Sequence, residues 1–152
     1  MATGKSINYF AKRLKGKTLY GFDSFAGLPE AWRGNYPQGT FKTPLPSVRE
    51  NVRLFPGLFD QTLPGFLEQH GEPALLLHLD ADLYGSTKFV LEQMQPRLAP
   101  GTILIFDEFF NYPGWLEGEY KAVAEFIQSS KLKIEYLGYN CLGTQLAVQI
   151  AD

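Results

Sequence analysis

Apolar positions along the chain alternate between short runs of β type and longer stretches of helical spacing. Thr18 to Asp23 (TLYGFD), Asn51 to Phe55 (NVRLF), Ala74 to Asp80 (ALLLHLD) and Thr102 to Asp107 (TILIFD) each predict a strand. Between the last two, Phe89, Val90, Met94 and Leu98 recur at helical spacing within Ser86 to Leu98, until Pro96 and Pro100 end the run. Near-continuous apolar strands joined by a helix predict a parallel sheet covered on both faces. A further helix is predicted over Leu116 to Ser129, with Leu116, Tyr120, Val123, Ala124 and Ile127 on one stripe. Lys133 to Leu137 and Thr144 to Ile150 alternate apolar with polar residues, as strands at an antiparallel end would. The expected class is α/β: a mostly parallel sheet with an antiparallel end and helices on both faces.

Gly27 to Ser47 (GLPEAWRGNYPQGTFKTPLPS) fits neither period and is rich in proline and glycine. A solvated linker would not need Trp32, Tyr36 and Phe41, so the stretch is expected to be a lid over a site rather than a disordered loop.

The 152 residues, 45% of them hydrophobic, suit a single soluble domain spanning residues 1–152. With 14 basic against 16 acidic side chains and no basic block, the chain has no footprint for nucleic acid, and no apolar run is long enough for a membrane span. The expected partners are small molecules or protein. The first residues lack the apolar core of a secretory signal, and Cys141, the one cysteine, cannot form an internal disulfide. Both fit a cytoplasmic protein, and Cys141 is expected to be a buried structural thiol.

Three apolar runs end in aspartate: YGFD at Asp23, LHLD at Asp80 and LIFD at Asp107, the last followed by Glu108. In a parallel sheet those ends share one edge, where open α/β sheets bind ligands. If the strands ending at Asp80 and Asp107 are neighbours, their backbones lie about 4.8 Å apart. Two anions so close require either a proton or a cation between them. An all-oxygen donor set suits Mg²⁺ or Mn²⁺. Any single Asp of this kind is also explained as a helix N-cap or a turn residue, and Asp82 could cap the following helix. His78, inside a strand, reads as a core histidine, and His70, beside Gly71, as part of a helix C-terminus. MATGKS resembles the tail of a phosphate loop, and the DAD triplet at Asp80 to Asp82 resembles a glycosyltransferase metal motif; neither accounts for Asp23.

Four blocks, YGFDSFAGLPEAW, PGLFDQTLPGFLEQ, LHLDADLYGST and IFDEFFNYPGW, resemble in order and spacing the macrocin O-methyltransferase family. The likeness runs from about Gly4 to Ile150. It implies a Rossmann-like methyltransferase sheet, S-adenosylmethionine as cofactor, and Mg²⁺-assisted methylation of a small-molecule hydroxyl, such as a sugar of a natural product. By the same resemblance Asp23, with Ser24 beside it, receives the cofactor ribose, Gly4 and Ser6 flank its methionine portion, and Phe59 and Asp60 line the adenine side. Asp80 is implied as both metal ligand and general base, with Asp107 and Glu108 as further ligands. Many relatives carry Asp-Asp where this chain has Asp107-Glu108. NYPGW, residues 111 to 115, would form the rim over the acceptor, covered by Trp115.

In that family the glycine loop follows a first strand lying between those that end here at Asp23 and Asp80, and only MAT precedes Gly4. The chain is thus expected to lack that strand, which would leave unpaired strand edges and favour self-association into a homo-oligomer. A second reading stays open: a truncated, catalytically inactive methyltransferase-like module for binding or assembly.

Overall fold

The computed structural model describes residues 3–152; Met1 and Ala2, the first two residues of MATGKS, lie outside the described residues. Among the described residues, six strands and four α-helices follow one another as α1 (Lys5–Arg13), β1 (Leu19–Asp23), β2 (Val52–Pro56), α2 (Phe59–Gln69), β3 (Leu76–Leu79), α3 (Tyr84–Met94), β4 (Ile103–Phe106), α4 (Glu119–Ser130), β5 (Ile134–Tyr139) and β6 (Leu146–Ile150). The strands form two sheets, β1-β2 and β3-β4-β6-β5. The chain divides into two compact units, one ending at Phe66 and the other beginning at Leu67.

In the first unit β1 and β2 are parallel, with Leu19 opposite Val52 and Asp23 opposite Pro56. Alternation along each strand sends Leu19 and Leu54 with Val52 to one face, where Ile7 and Ala11 of α1 pack against them. Tyr20, Phe22 and Phe55 point the other way, and Phe66 of α2 enters among them at ring separations of 4.7, 5.1 and 5.4 Å. This parallel pair is therefore covered by a helix on each face. Neither α1 nor α2 stands out in the hydrophobic pattern: α1 carries a short, mostly polar sequence, and α2 holds Pro64 in its interior.

In the second unit β3 and β4 are parallel, and β6 and β5 continue the sheet antiparallel. Leu79, Leu104, Phe106, Leu146 and Val148 lie on one face and are buried. Helices α3 and α4 pack on each other and bury Val90, Leu91, Met94, Ala122, Val123 and Phe126. The predicted stripe of the last helix needs correction. Leu116 and Tyr120 are exposed, and the buried line is Glu119, Ala122, Val123 and Phe126. Trp115–Glu117 form a separate 3₁₀ turn, and Gly118, at φ −99° and ψ −136°, breaks the path before α4, so spacing counted across it loses phase. Cys141 is also corrected: it is exposed, in the turn between β5 and β6, where no core exists to bury it. No helix among the described residues is long and apolar enough to cross a membrane.

Gly27 to Ser47 folds back on itself. Trp32 and Tyr36 form an antiparallel bridge, the Leu28 N–H donates to the Thr40 carbonyl at 2.8 Å, and the Gly39 N–H donates to Leu28 at 2.9 Å. The Trp32, Tyr36 and Phe41 rings stack in series at 5.2 and 5.5 Å. Buried Trp32 thus anchors the loop on itself, with Tyr36 and the half-exposed Phe41 packed outward from it, as in compact Ω-type loops. Gly27, at φ 88°, is required at its neck, because a Cβ there would run into the Gly39 and Thr40 carbonyls.

Candidate active site

The two central acids are placed by strand register. Leu79 pairs with Phe106 at the end of the β3-β4 ladder, and the Asp107 N–H donates to the Leu79 carbonyl at 2.9 Å. The next step sets Asp80 opposite Asp107 at the carboxyl ends of two parallel strands. Gln145 Nε2 donates to Asp107 Oδ1 at 3.2 Å, and Thr144 Oγ1 donates to the Asp107 carbonyl at 2.6 Å, so the two residues leading into β6 fix the second acid. Burial pushes the Asp107 carboxyl above the ordinary carboxylate range, and the negative charge of Asp80 adds to the rise; the Gln145 bond opposes both. Two positions before Asp80, burial holds His78 below the usual imidazole range while Asp80 and Asp107 pull it upward.

Helix α3 begins after Leu83, which holds the N-cap position, so Asp82 lies one residue before it. Asp82 sits at φ 60°, a left-handed backbone that costs a non-glycine residue on the order of 1–2 kcal/mol, and the Leu83 N–H closes back on the Ala81 carbonyl at 2.6 Å. Such strain clusters at active sites. Asp107 caps no helix, since the residues after it are irregular until Trp115. Asp23 does use one oxygen locally: its Oδ1 accepts the Phe25 N–H at 2.8 Å.

A fourth acid, absent from the sequence-derived set, lies behind these turns. Glu119, in the first turn of α4, is fully buried. Its Oε2 accepts the Glu108 N–H at 2.9 Å and its Oε1 the Thr87 hydroxyl at 3.4 Å. The Ala81 N–H also bonds to the carboxyl. Burial raises its pKa to about 8, the two backbone donors pull it down, and the charges of Glu108 and Asp80 raise it further. The spacing 119, 122, 123, 126 was the available signal, because it puts a glutamate on a buried stripe.

Asp80 and Asp107 are brought together; Glu108 is not gathered with them into a cage. Among the described residues no group of three or more His, Cys, Asp or Glu side chains is assembled as a metal site. The pair nevertheless fits Mg²⁺, which commonly takes one or two carboxylates and keeps several waters. Beyond β4, an aromatic chain runs from Phe106 through Phe109 and Tyr120 to Trp115 at ring separations of 5.6, 5.5 and 4.8 Å, so Trp115 is anchored to the core behind Asp107.

The cofactor candidates all fall in the first unit. Asp23 ends β1, its carbonyl accepts the Gly57 N–H at 3.0 Å, and Phe59 and Asp60 open α2 just beyond. Ser24 turns the chain, its Oγ accepting the Ala26 N–H and donating to the Gly27 carbonyl, both at 3.2 Å. Gly4 precedes α1 at φ 73°, where a Cβ would lie 2.9 Å from Pro46. Pro46 follows closely on Thr43, whose N–H donates to the Phe25 carbonyl. At the opposite end Asn51 bonds the Ala11 and Lys17 carbonyls. Gly4 and Ser6 therefore start α1 at the end of the β pair where Asp23 sits, and Asp23 shares α1's face.

A family described as a methyltransferase domain matches residues 1–109. The chain is 36% identical to the 8-demethyl-8-(2,3-dimethoxy-alpha-L-rhamnosyl)-tetracenomycin-C 4'-O-methyltransferase of Streptomyces olivaceus, over 57% of this chain and 40% of that protein. It is 29% identical to the mycinamicin III 3''-O-methyltransferase of Micromonospora griseorubida, over 63% of this chain and 45% of that one. The chain thus spans less than half the length of these curated relatives. Its fold matches the crystal structure of the calicheamicin methyltransferase CalS11 with a TM-score of 0.79 at 25% identity, covering 99% of this chain and 70% of that one. The α/β fold expected from the four sequence blocks is thereby confirmed, and the chain belongs to the methyltransferase-domain family, with natural-product O-methyltransferases among its relatives.

Proposed function

We propose that the chain is an S-adenosylmethionine-dependent, Mg²⁺-assisted O-methyltransferase acting on a small-molecule hydroxyl, in particular one on a sugar of a natural product. The observation that carries this reading is the register that sets Asp80 against Asp107 at the carboxyl ends of β3 and β4. The relatives support the choice of acceptor, since one is named for a rhamnosyl-bearing tetracenomycin and the other as a mycinamicin III 3''-O-methyltransferase.

When bound, S-adenosylmethionine supplies an electrophilic methyl and the divalent cation acidifies the acceptor hydroxyl. Asp80 and Asp107 would hold the cation, with Glu108 as a further candidate from the next position. Asp80 takes the hydroxyl proton as general base. Gln145 and Thr144 keep Asp107 in one orientation, so little rearrangement is needed on binding. Asp23 receives the cofactor ribose, Gly4 and Ser6 border its methionine end, and Ser24, Phe59 and Asp60 complete that side. Trp115 covers the acceptor with an apolar wall.

Calorimetry with S-adenosylmethionine, with and without Mg²⁺, tests the reading, followed by transfer assays on Asp80→Asn. Micromolar cofactor binding that survives Asp80→Asn while methyl transfer is lost is the expected result. Equal loss of both would remove Asp80 from its role. No cofactor heat at all would favour the alternative, a catalytically inactive binding or assembly module, a reading that the separation of the strands into two sheets supports.

A further inference from the structure

Glu119 binds the backbone of both acid-bearing turns. Its carboxyl receives the Ala81 N–H, from between Asp80 and Asp82, and the Glu108 N–H, from the residue after Asp107. A third donor, Thr87 Oγ1 at 3.4 Å, is itself buried and ties the group to α3. Removing a carboxyl from water is costly unless its oxygens are met by donors. Here the donors come from the two turns whose relative position decides whether Asp80 and Asp107 can share one cation. An apolar residue at 119 would fill the same stripe of α4 beside Ala122, Val123 and Phe126, but it would leave the Ala81 and Glu108 N–H groups without this acceptor.

From this geometry we infer that Glu119 is a positioning residue: its buried carboxyl group clamps the Asp80-Ala81-Asp82 turn to the Asp107-Glu108 turn and so sets the spacing of the two acids. The inference rests on the proposed cation site and deepens it. Groups that orient metal ligands from behind typically change metal affinity 10- to 100-fold when removed.

The test uses the full chain with Mn²⁺ as probe, comparing wild type, Glu119→Ala, Glu119→Gln and Asp80→Asn. Glu119→Ala is expected to weaken Mn²⁺ binding at least 10-fold while S-adenosylmethionine affinity shifts less than twofold. Glu119→Gln, which keeps one acceptor oxygen at the same volume, should recover part of that loss. NMR-resolved hydrogen exchange gives a readout that needs no metal: the Ala81 and Glu108 amides should be protected in the wild type, and both should lose protection in Glu119→Ala. Should that variant fail to fold, Glu119→Gln decides, with Mn²⁺ binding weakened about threefold or more and faster exchange at one or both amides. Unchanged exchange at both amides, or wild-type Mn²⁺ affinity in a folded Glu119 variant, overturns the clamp. A wild type that ignores Mn²⁺, or binds it equally after Asp80→Asn, instead sinks the cation site itself, and the clamp then stands or falls on the amide exchange alone.

Discussion

Replacing Glu119 by glutamine should reshape how stability depends on pH. In the native chain burial lifts this carboxyl from 4.5 to about 8. Between those values the folded state holds a proton that the unfolded state has released, so stability must fall as pH rises through the interval. Every tenfold difference in proton affinity between the two states corresponds to about 1.4 kcal/mol, which gives an upper bound of about 5 kcal/mol lost between pH 4.5 and pH 8. Glutamine cannot ionise, but its amide presents an NH₂ to one of the two backbone N–H groups. That mismatch should cost about 1–3 kcal/mol at every pH. The wild type should therefore be the more stable protein near pH 5, and the advantage should shrink or reverse above pH 8. Urea unfolding followed by circular dichroism, in chelator and at one-unit pH steps from 5 to 9, measures both curves. Parallel curves across that range would show that Glu119 does not carry the perturbed titration.

Asp23→Asn keeps an acceptor oxygen for the Phe25 N–H and so preserves the turn; it should weaken S-adenosylmethionine binding about tenfold or more by calorimetry and leave Mn²⁺ binding alone. Gly27→Ala forces a side chain into a left-handed backbone against the Gly39 and Thr40 carbonyls, and on the order of 2 kcal/mol or more of local stability should be lost. Limited proteolysis would then cut within residues 27–47 in the variant before the wild type. Cys141, being exposed, should react stoichiometrically with a thiol reagent in the native chain, and protection until unfolding would contradict its placement in the β5-β6 turn.

Much of this architecture is readable from residue order, and what is not has local causes. The runs NVRLF, ALLLHLD and TILIFD announce strands because their apolar residues are nearly continuous, and the observed β2, β3 and β4 fall within a residue or two of them. The pairing of Asp80 with Asp107 follows once those two strands are neighbours. The alternating pattern ends β5 too early, at Leu137, because a register shift between Tyr136 and Gly138 interrupts the periodicity that marks a strand. Helix α1 escapes notice because its short, largely polar sequence masks it, and α2 shows only at its His70 end because Pro64 obscures its interior. Glu119 escapes for a different reason: reading the helix from Leu116 carries the count across the Gly118 break and puts the acid on the wrong side.

That irregularity in β5 bears on how the molecule behaves in a crowded solution. β5 is the outermost strand beside β6, and Tyr136, Leu137 and Tyr139 along it are well exposed. A flat strand with such side chains would template the stacking of further copies into fibrillar aggregates. Because the ladder steps from Tyr136 directly to Gly138, Leu137 falls outside it and the run of evenly spaced amides is broken midway. Straightening the strand, by deleting Leu137 for example, would trade that protection for a smooth edge on which chains could accumulate.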